Sequence, residues 1–223
     1  MGYWFESHST AAHERQCMSA VSPIRSTLEE TGAIDARGAA YLTDERIKAA
    51  LKPFCREAAR TSHAGSRDTD VRQRALSGLI RAHPEAWAPL CELGIDAELV
   101  SGSDLRFMTA AERRRFKRDE CRYRRAYMAE DSVSVDLGGI AADHPDHYVP
   151  LCASQLLSSF GSDGAAATYS RRDLRTIARR SCRAGLRTRV LDATGPGGFN
   201  SCTVDQRRWT ALIRRVAQDV RSA

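Results

Sequence analysis

One nonapeptide pattern occurs twice in this chain, and it constrains the fold more than any other feature. HPEAWAPLC stands at 83–91 and HPDHYVPLC at 144–152, an offset of 61 residues. At the same offset Leu76, Gly78 and Leu79 fall on Leu137, Gly139 and Ile140. TAAERRRFKRDECR (109–122) likewise falls on SRRDLRTIARRSCR (170–183), so that Thr109 meets Ser170, Glu112 meets Asp173, Phe116 meets Ile177 and Cys121-Arg122 meets Cys182-Arg183. Self-similarity over about 60 residues marks a duplicated unit that buries its apolar face by stacking on its neighbours. A fragment of a third copy stands in LTDERIKAALKPFCR (42–56), where Thr43 again precedes a Cys-Arg pair by twelve residues.

Each unit reads as helical. Thr109-x-x-Glu112 and Ser170-x-x-Asp173 have the form of capping boxes, in which the cap hydroxyl and the acid satisfy each other's backbone amides. Pro84 and Pro145 suit the first position of a helix, where the missing N–H had no partner. Pro89 and Pro150 follow five residues later, and a proline there breaks a regular helix. The nonapeptide is therefore expected to be a proline-braced corner, with Trp87 and Tyr148 as buried anchors. Further helices are expected from Ser22-Pro23 and over 69–82, a loop over 188–202, and a lone strand at TRVLD (188–192). The expected fold class is all-α, with duplicated helix–corner–helix units of about 60 residues forming a helical array or bundle. The expected organisation is an N-terminal helical segment at 1–66, repeat units at 67–128 and 129–188, a Gly-rich loop at 189–202 and a basic amphipathic helix at 203–223.

Charge is segregated on this frame. The chain has 31 Arg and only 3 Lys. The segments 109–127, 170–189 and 203–221 hold 21 basic and 6 acidic residues, a net of +15, and the rest of the chain has a net of −9. At 100° per residue the apolar stripes are Phe116, Tyr123 and Tyr127; then Leu174, Ile177 and Ala178; then Trp209, Leu212, Ile213, Val216 and Val220. Most arginines lie away from these stripes. Such a field attracts polyanions, and nucleic acid is the commonest of them. The functional expectation is nucleic-acid binding, to DNA or RNA, through phosphate contacts from Arg114, Arg118, Arg122, Arg125, Arg175, Arg179, Arg183, Arg214 and Arg215. The alternative is a helical adaptor or structural subunit of a larger ribonucleoprotein or viral assembly, its basic faces meeting an acidic protein partner.

The remaining chemistry-bearing residues carry weaker readings. His83, Cys91 and Cys121 recur as His144, Cys152 and Cys182, and Asp104 or Asp163 could complete a zinc set, but there is no C-x2-C pair. No cofactor is expected, with zinc as the alternative. His8, His13 and Cys17 form a lesser cluster. Cys121 and Cys182, among arginines, have the surroundings of redox-sensing thiols. His144, His147 and Cys152 are the residues of a Cys–His enzyme alternative; no catalytic residues are expected. MGYWFESHST lacks the basic and apolar regions of a signal peptide, and no apolar run reaches membrane-span length. The expectation is a soluble intracellular protein with reduced cysteines and no membrane contact.

Overall fold

The computed structural model describes residues 10–19, 21–61, 69–128, 133–162, 168–192 and 205–223. Among them the regular structure is helical, and no strand is present. Met128 and Val135 form an isolated bridge. The expected strand at 188–192 is not formed: Thr188 and Arg189 make a turn after the helix that ends at Arg187, with Arg189 at φ 53, and Leu191 is a single bridge residue. None of the described helices is long and apolar enough to cross a membrane. Most of the expected Gly-rich loop at 189–202, including Cys202, lies outside the described residues, as do His8 and Asp163.

The chain divides into two compact units, the first comprising Met1–Ser101 and Met128–Val135, the second Gly102–Tyr127 and Asp136–Ala223. The first unit contains α1 (Thr10–Met18), α2 (Val21–Glu30), α3 (Ala36–Tyr41), α4 (Asp44–Arg60), α5 (Thr69–Ala82) and α6 (Pro84–Ser101). Its core gathers Ile34, Leu42, Ile47, Leu51, Cys55 and Ala97. Gly38 lets α3 approach α6 closely: a Cβ there would stand 2.9 Å from the Ala97 carbonyl and overlap the Ser101 hydroxyl. The second unit contains a 3-10 helix (Ser103–Phe107), α7 (Ala110–Ala126), α8 (Leu137–Asp143), a 3-10 turn (Pro145–Tyr148), α9 (Val149–Ser162), α10 (Arg171–Arg187) and α11 (Gln206–Arg221). Here α10 packs on both α9 and α11. Of the expected apolar stripes, Phe116 on α7, Leu174, Ile177 and Ala178 on α10, and Trp209, Leu212 and Val216 on α11 are buried, while Tyr123, Tyr127, Ile213 and Val220 are half-buried.

Three helices, α4, α7 and α10, share one plan. Each has 17 residues and an N-cap hydroxyl, from Thr43, Thr109 or Ser170, that accepts a hydrogen bond from the backbone amide three residues on. Twelve residues after each cap stands a disulfide-bonded cysteine: Cys55, Cys121 or Cys182. At Thr109 the capping box is complete, because Glu112 reaches back to the Thr109 amide at 2.9 Å. At Ser170 the shorter Asp173 accepts from the hydroxyl instead, at 2.6 Å. Thr109→Ala removes the cap and the anchor of Glu112, and is expected to cost about 1 kcal/mol of stability. Ser170→Ala should cost less, and urea unfolding of the two variants compares them.

Two expectations are corrected. The nonapeptide at 83–91 forms no proline-braced corner, since α6 begins at Pro84 and runs unbroken through Pro89 to Ser101. Pro89 removes one amide from the ladder near the start of the helix, and the rest of α6 sustains it. At 144–152 the break is real: the 3-10 turn ends at Tyr148, and Pro150 is the second residue of α9, where its amide had no helical partner. Tyr148 is buried as expected, but Trp87 is only half-buried.

The second correction concerns the thiols. Cys17 is bonded to Cys55 and Cys152 to Cys182, and Cys91 and Cys121 are also disulfide-bonded. These sulfurs are therefore neither reduced thiols, nor redox-sensing thiolates, nor thiolate ligands for zinc. Cys152 cannot serve as the nucleophile of a Cys–His pair.

Candidate functional site

The Arg-rich helices of the second unit sort their arginines into two sets. The outward set begins with Arg114, Arg118 and Arg122 on α7, all exposed. Arg118 meets Asp119 at 3.4 Å, and Arg122 lies over the Tyr123 ring, 4.8 Å from its centroid. Arg125 is half-buried. On α10 Arg175 is exposed, and on α11 Arg214 and Arg215 are exposed opposite Trp209, Leu212 and Val216. Among the described residues no carboxylate lies within ion-pair distance of Arg114, Arg125, Arg175, Arg214 or Arg215. Arg171, Arg172 and Arg180 of α10 extend this exposed, unpaired surface.

The second set lines an open cavity of about 710 Å³ bounded by α7, α8, the 3-10 turn, α9 and α10. Arg179 is paired with Glu112 of α7. Arg183 and Arg187 share Asp146, at 3.3 and 2.6 Å. Burial pushes the Glu112 carboxyl up, but hydrogen bonds from Thr109 and the Arg179 charge hold it below the ordinary carboxylate range.

An aromatic and imidazole cluster stands behind these charges. Phe116 is stacked on His147, with centroids 4.5 Å apart, and Tyr123 on His144, at 4.0 Å. His147, whose side chain is 5% exposed, shares a 2.6 Å hydrogen bond between its Nε2 and Glu120 Oε2. An ionised carboxylate only accepts, so the proton in that bond belongs to Nε2. Arg124 Nε donates to the other oxygen of Glu120 at 2.9 Å. Glu120 is 2% exposed. Its burial raises the carboxyl pKa, yet the bond from His147 and the charge and bond of Arg124 outweigh that and leave it lowered. The Tyr127 hydroxyl donates to Asp143, which pushes the tyrosine up to about 12.

The candidate metal ligands do not meet as a set. His83 lies in the first unit, 3.2 Å from Glu57 and 3.3 Å from Glu85. His144 lies at the cavity, stacked on Tyr123. Among the described residues no cluster of three or more His, Cys, Asp or Glu is placed to hold a metal ion. Sequence reasoning missed the Glu120–His147 pair. A signal was there: Glu120 falls on the same helical face as Phe116, Tyr123 and Tyr127, and an acid within an apolar stripe needs a buried partner.

No protein-family model, curated protein or solved structure matches this chain.

Proposed function

We propose that the second unit binds nucleic acid through the phosphate backbone, using the outward arginines of α7, α10 and α11. The observation that carries this reading is the surface of exposed arginines, Arg114, Arg175, Arg214 and Arg215 among them, that no described carboxylate neutralises. Guanidinium groups held on rigid helices suit phosphate by charge and by their bidentate fork. Backbone contacts of this kind position a protein and do not read sequence, so DNA and RNA are both substrates of the reading. A second reading has its own support. Glu112 and Asp146 already engage α10 arginines, so carboxylates of an acidic protein partner could engage the outward set in the same way.

We infer also that α4, α7 and α10 descend from one repeated unit, each with a hydroxyl cap and a disulfide-bonded cysteine twelve residues on. The disulfides bear on location. Such bonds persist in oxidising compartments and are rare in the cytosol, so we place the protein's working environment on the oxidising side, in place of the intracellular expectation.

The experiment is fluorescence anisotropy with a labelled duplex and a labelled single strand. The variant Arg114→Gln/Arg175→Gln/Arg214→Gln/Arg215→Gln should keep its fold, because none of the four contacts the core, and should bind at least about tenfold more weakly at low salt. If wild type binds neither polymer at low salt but binds an acidic peptide, the adaptor reading replaces this one.

A further inference from the structure

Arg179, Arg183 and Arg187 recur every fourth residue along α10 and line the cavity while remaining exposed to solvent. Each is held by a carboxylate of the same chain. The Asp146 side chain that bridges Arg183 and Arg187 is 53% exposed, and the two arginines are 52% and 57% exposed. Ion pairs this open to water contribute little and are readily exchanged. A phosphate monoester brings close to two charges and three acceptor oxygens where Asp146 brings one charge and two oxygens.

The cavity also has room for more than phosphate. Its 710 Å³ lies within the range of about 300–1,000 Å³ typical of small-molecule sites. Phe116, Tyr123 and His144 give it an aromatic wall, and Asp119 and Asp143 also line it. The Phe116–His147 and Tyr123–His144 stacks fix that wall before any ligand arrives, and buried Glu120 fixes His147. Little ordering is then left to oppose binding.

We propose that this cavity binds a small phosphate monoester with a ring-sized body, its phosphate on Arg183 and Arg187, and that Asp146 is the internal counter-ion it displaces. The site is separate from the outward surface and does not depend on it. The monoester can belong to a free nucleotide or to the terminal phosphate of a nucleic-acid strand.

The test is calorimetric titration of the full chain, disulfides intact, with adenosine 5′-monophosphate, adenosine, and short strands with and without a 5′-phosphate. The monophosphate should bind and adenosine should not. Arg183→Gln/Arg187→Gln should weaken the monophosphate at least about tenfold, the usual scale for losing charge-assisted hydrogen bonds. Asp146→Asn should strengthen it, because the competing charge is gone while the shape is kept. Thermal melts of each variant confirm that the fold persists. Tighter binding of the 5′-phosphorylated strand than of the free nucleotide supports the site and assigns it to strand ends; the reverse order supports it and assigns it to free nucleotides. The proposal is overturned if neither wild type nor Asp146→Asn binds the monophosphate, or if Asp146→Asn weakens binding as much as the arginine variant does. The outward-surface variant separates the two readings: if it loses both strands but still takes the monophosphate, the surface and the cavity are distinct sites.

Discussion

Glu120→Ala is expected to destabilise the second unit by about 3–5 kcal/mol, the scale for removing one partner of a buried charge pair. The substitution leaves the His147 Nε2–H without its acceptor at a position 5% exposed, removes a partner of Arg124, and opens a gap behind the Phe116–His147 stack. Glu120→Gln keeps the shape and one acceptor oxygen and should cost less. The pH dependence distinguishes the two contributions. The Glu120 carboxyl is lowered in the folded chain relative to the unfolded one. Its stabilising contribution is therefore complete above the ordinary glutamate value of about 4.3 and is lost as the pH falls through the folded value. In urea unfolding from pH 7 to pH 3, wild type should lose this part of its stability on the acid side, and Glu120→Gln should show a shallower loss. Parallel pH profiles for the two proteins would mean that Glu120 is not ionised within the fold.

Removing the Cys152–Cys182 bond should cost almost as much. The bond closes a segment with a sequence separation of 30 between α9 and α10. A cross-link of that span restricts the unfolded chain by about 3–4 kcal/mol on the chain-entropy model. Both cysteines are buried, so Cys152→Ala/Cys182→Ala removes the link without burying a new polar group. A stability change within about 0.5 kcal/mol, the range of an inconsequential surface substitution, would show that the link does not restrain the chain. Thiol titration of the denatured, unreduced protein adds a direct count. With six of seven cysteines in disulfides, no more than one thiol per chain should react.

Much of the fold could be read from particular residues. Thr109 and Ser170 announced the starts of α7 and α10, because a hydroxyl followed three residues later by an acid satisfies otherwise orphaned amides. Trp209, Leu212 and Val216 announced the buried face of α11, because their spacing repeats the helical period. Pro89 misled, since local propensity counts the lost amide but not the packing that carries α6 past it. The disulfides were misjudged through an inference about compartment. The more informative signal was internal: Cys55, Cys121 and Cys182 each stand twelve residues after a helix-capping hydroxyl, a recurrence that points to a shared structural role. The division of the arginines was beyond one-dimensional reading. Arg175 and Arg179 lie one helical turn apart and are both exposed, and only the position of Glu112 on another helix separates an unpaired cation from a paired one lining the cavity.

The salt dependence of oligonucleotide binding tests the proposed function most directly. Each phosphate contact contributes about 0.7–0.9 to the slope of log K against log salt concentration, depending on strandedness. If the outward arginines engage four phosphates, raising the salt from about 50 to 200 mM should weaken binding roughly fiftyfold to 150-fold. The Arg114→Gln/Arg175→Gln/Arg214→Gln/Arg215→Gln variant should show a slope shallower by about 3, with sequence preference unchanged. Binding that is absent at low salt, or that persists in the variant with an unchanged slope, would contradict the assignment of these arginines to the phosphate backbone.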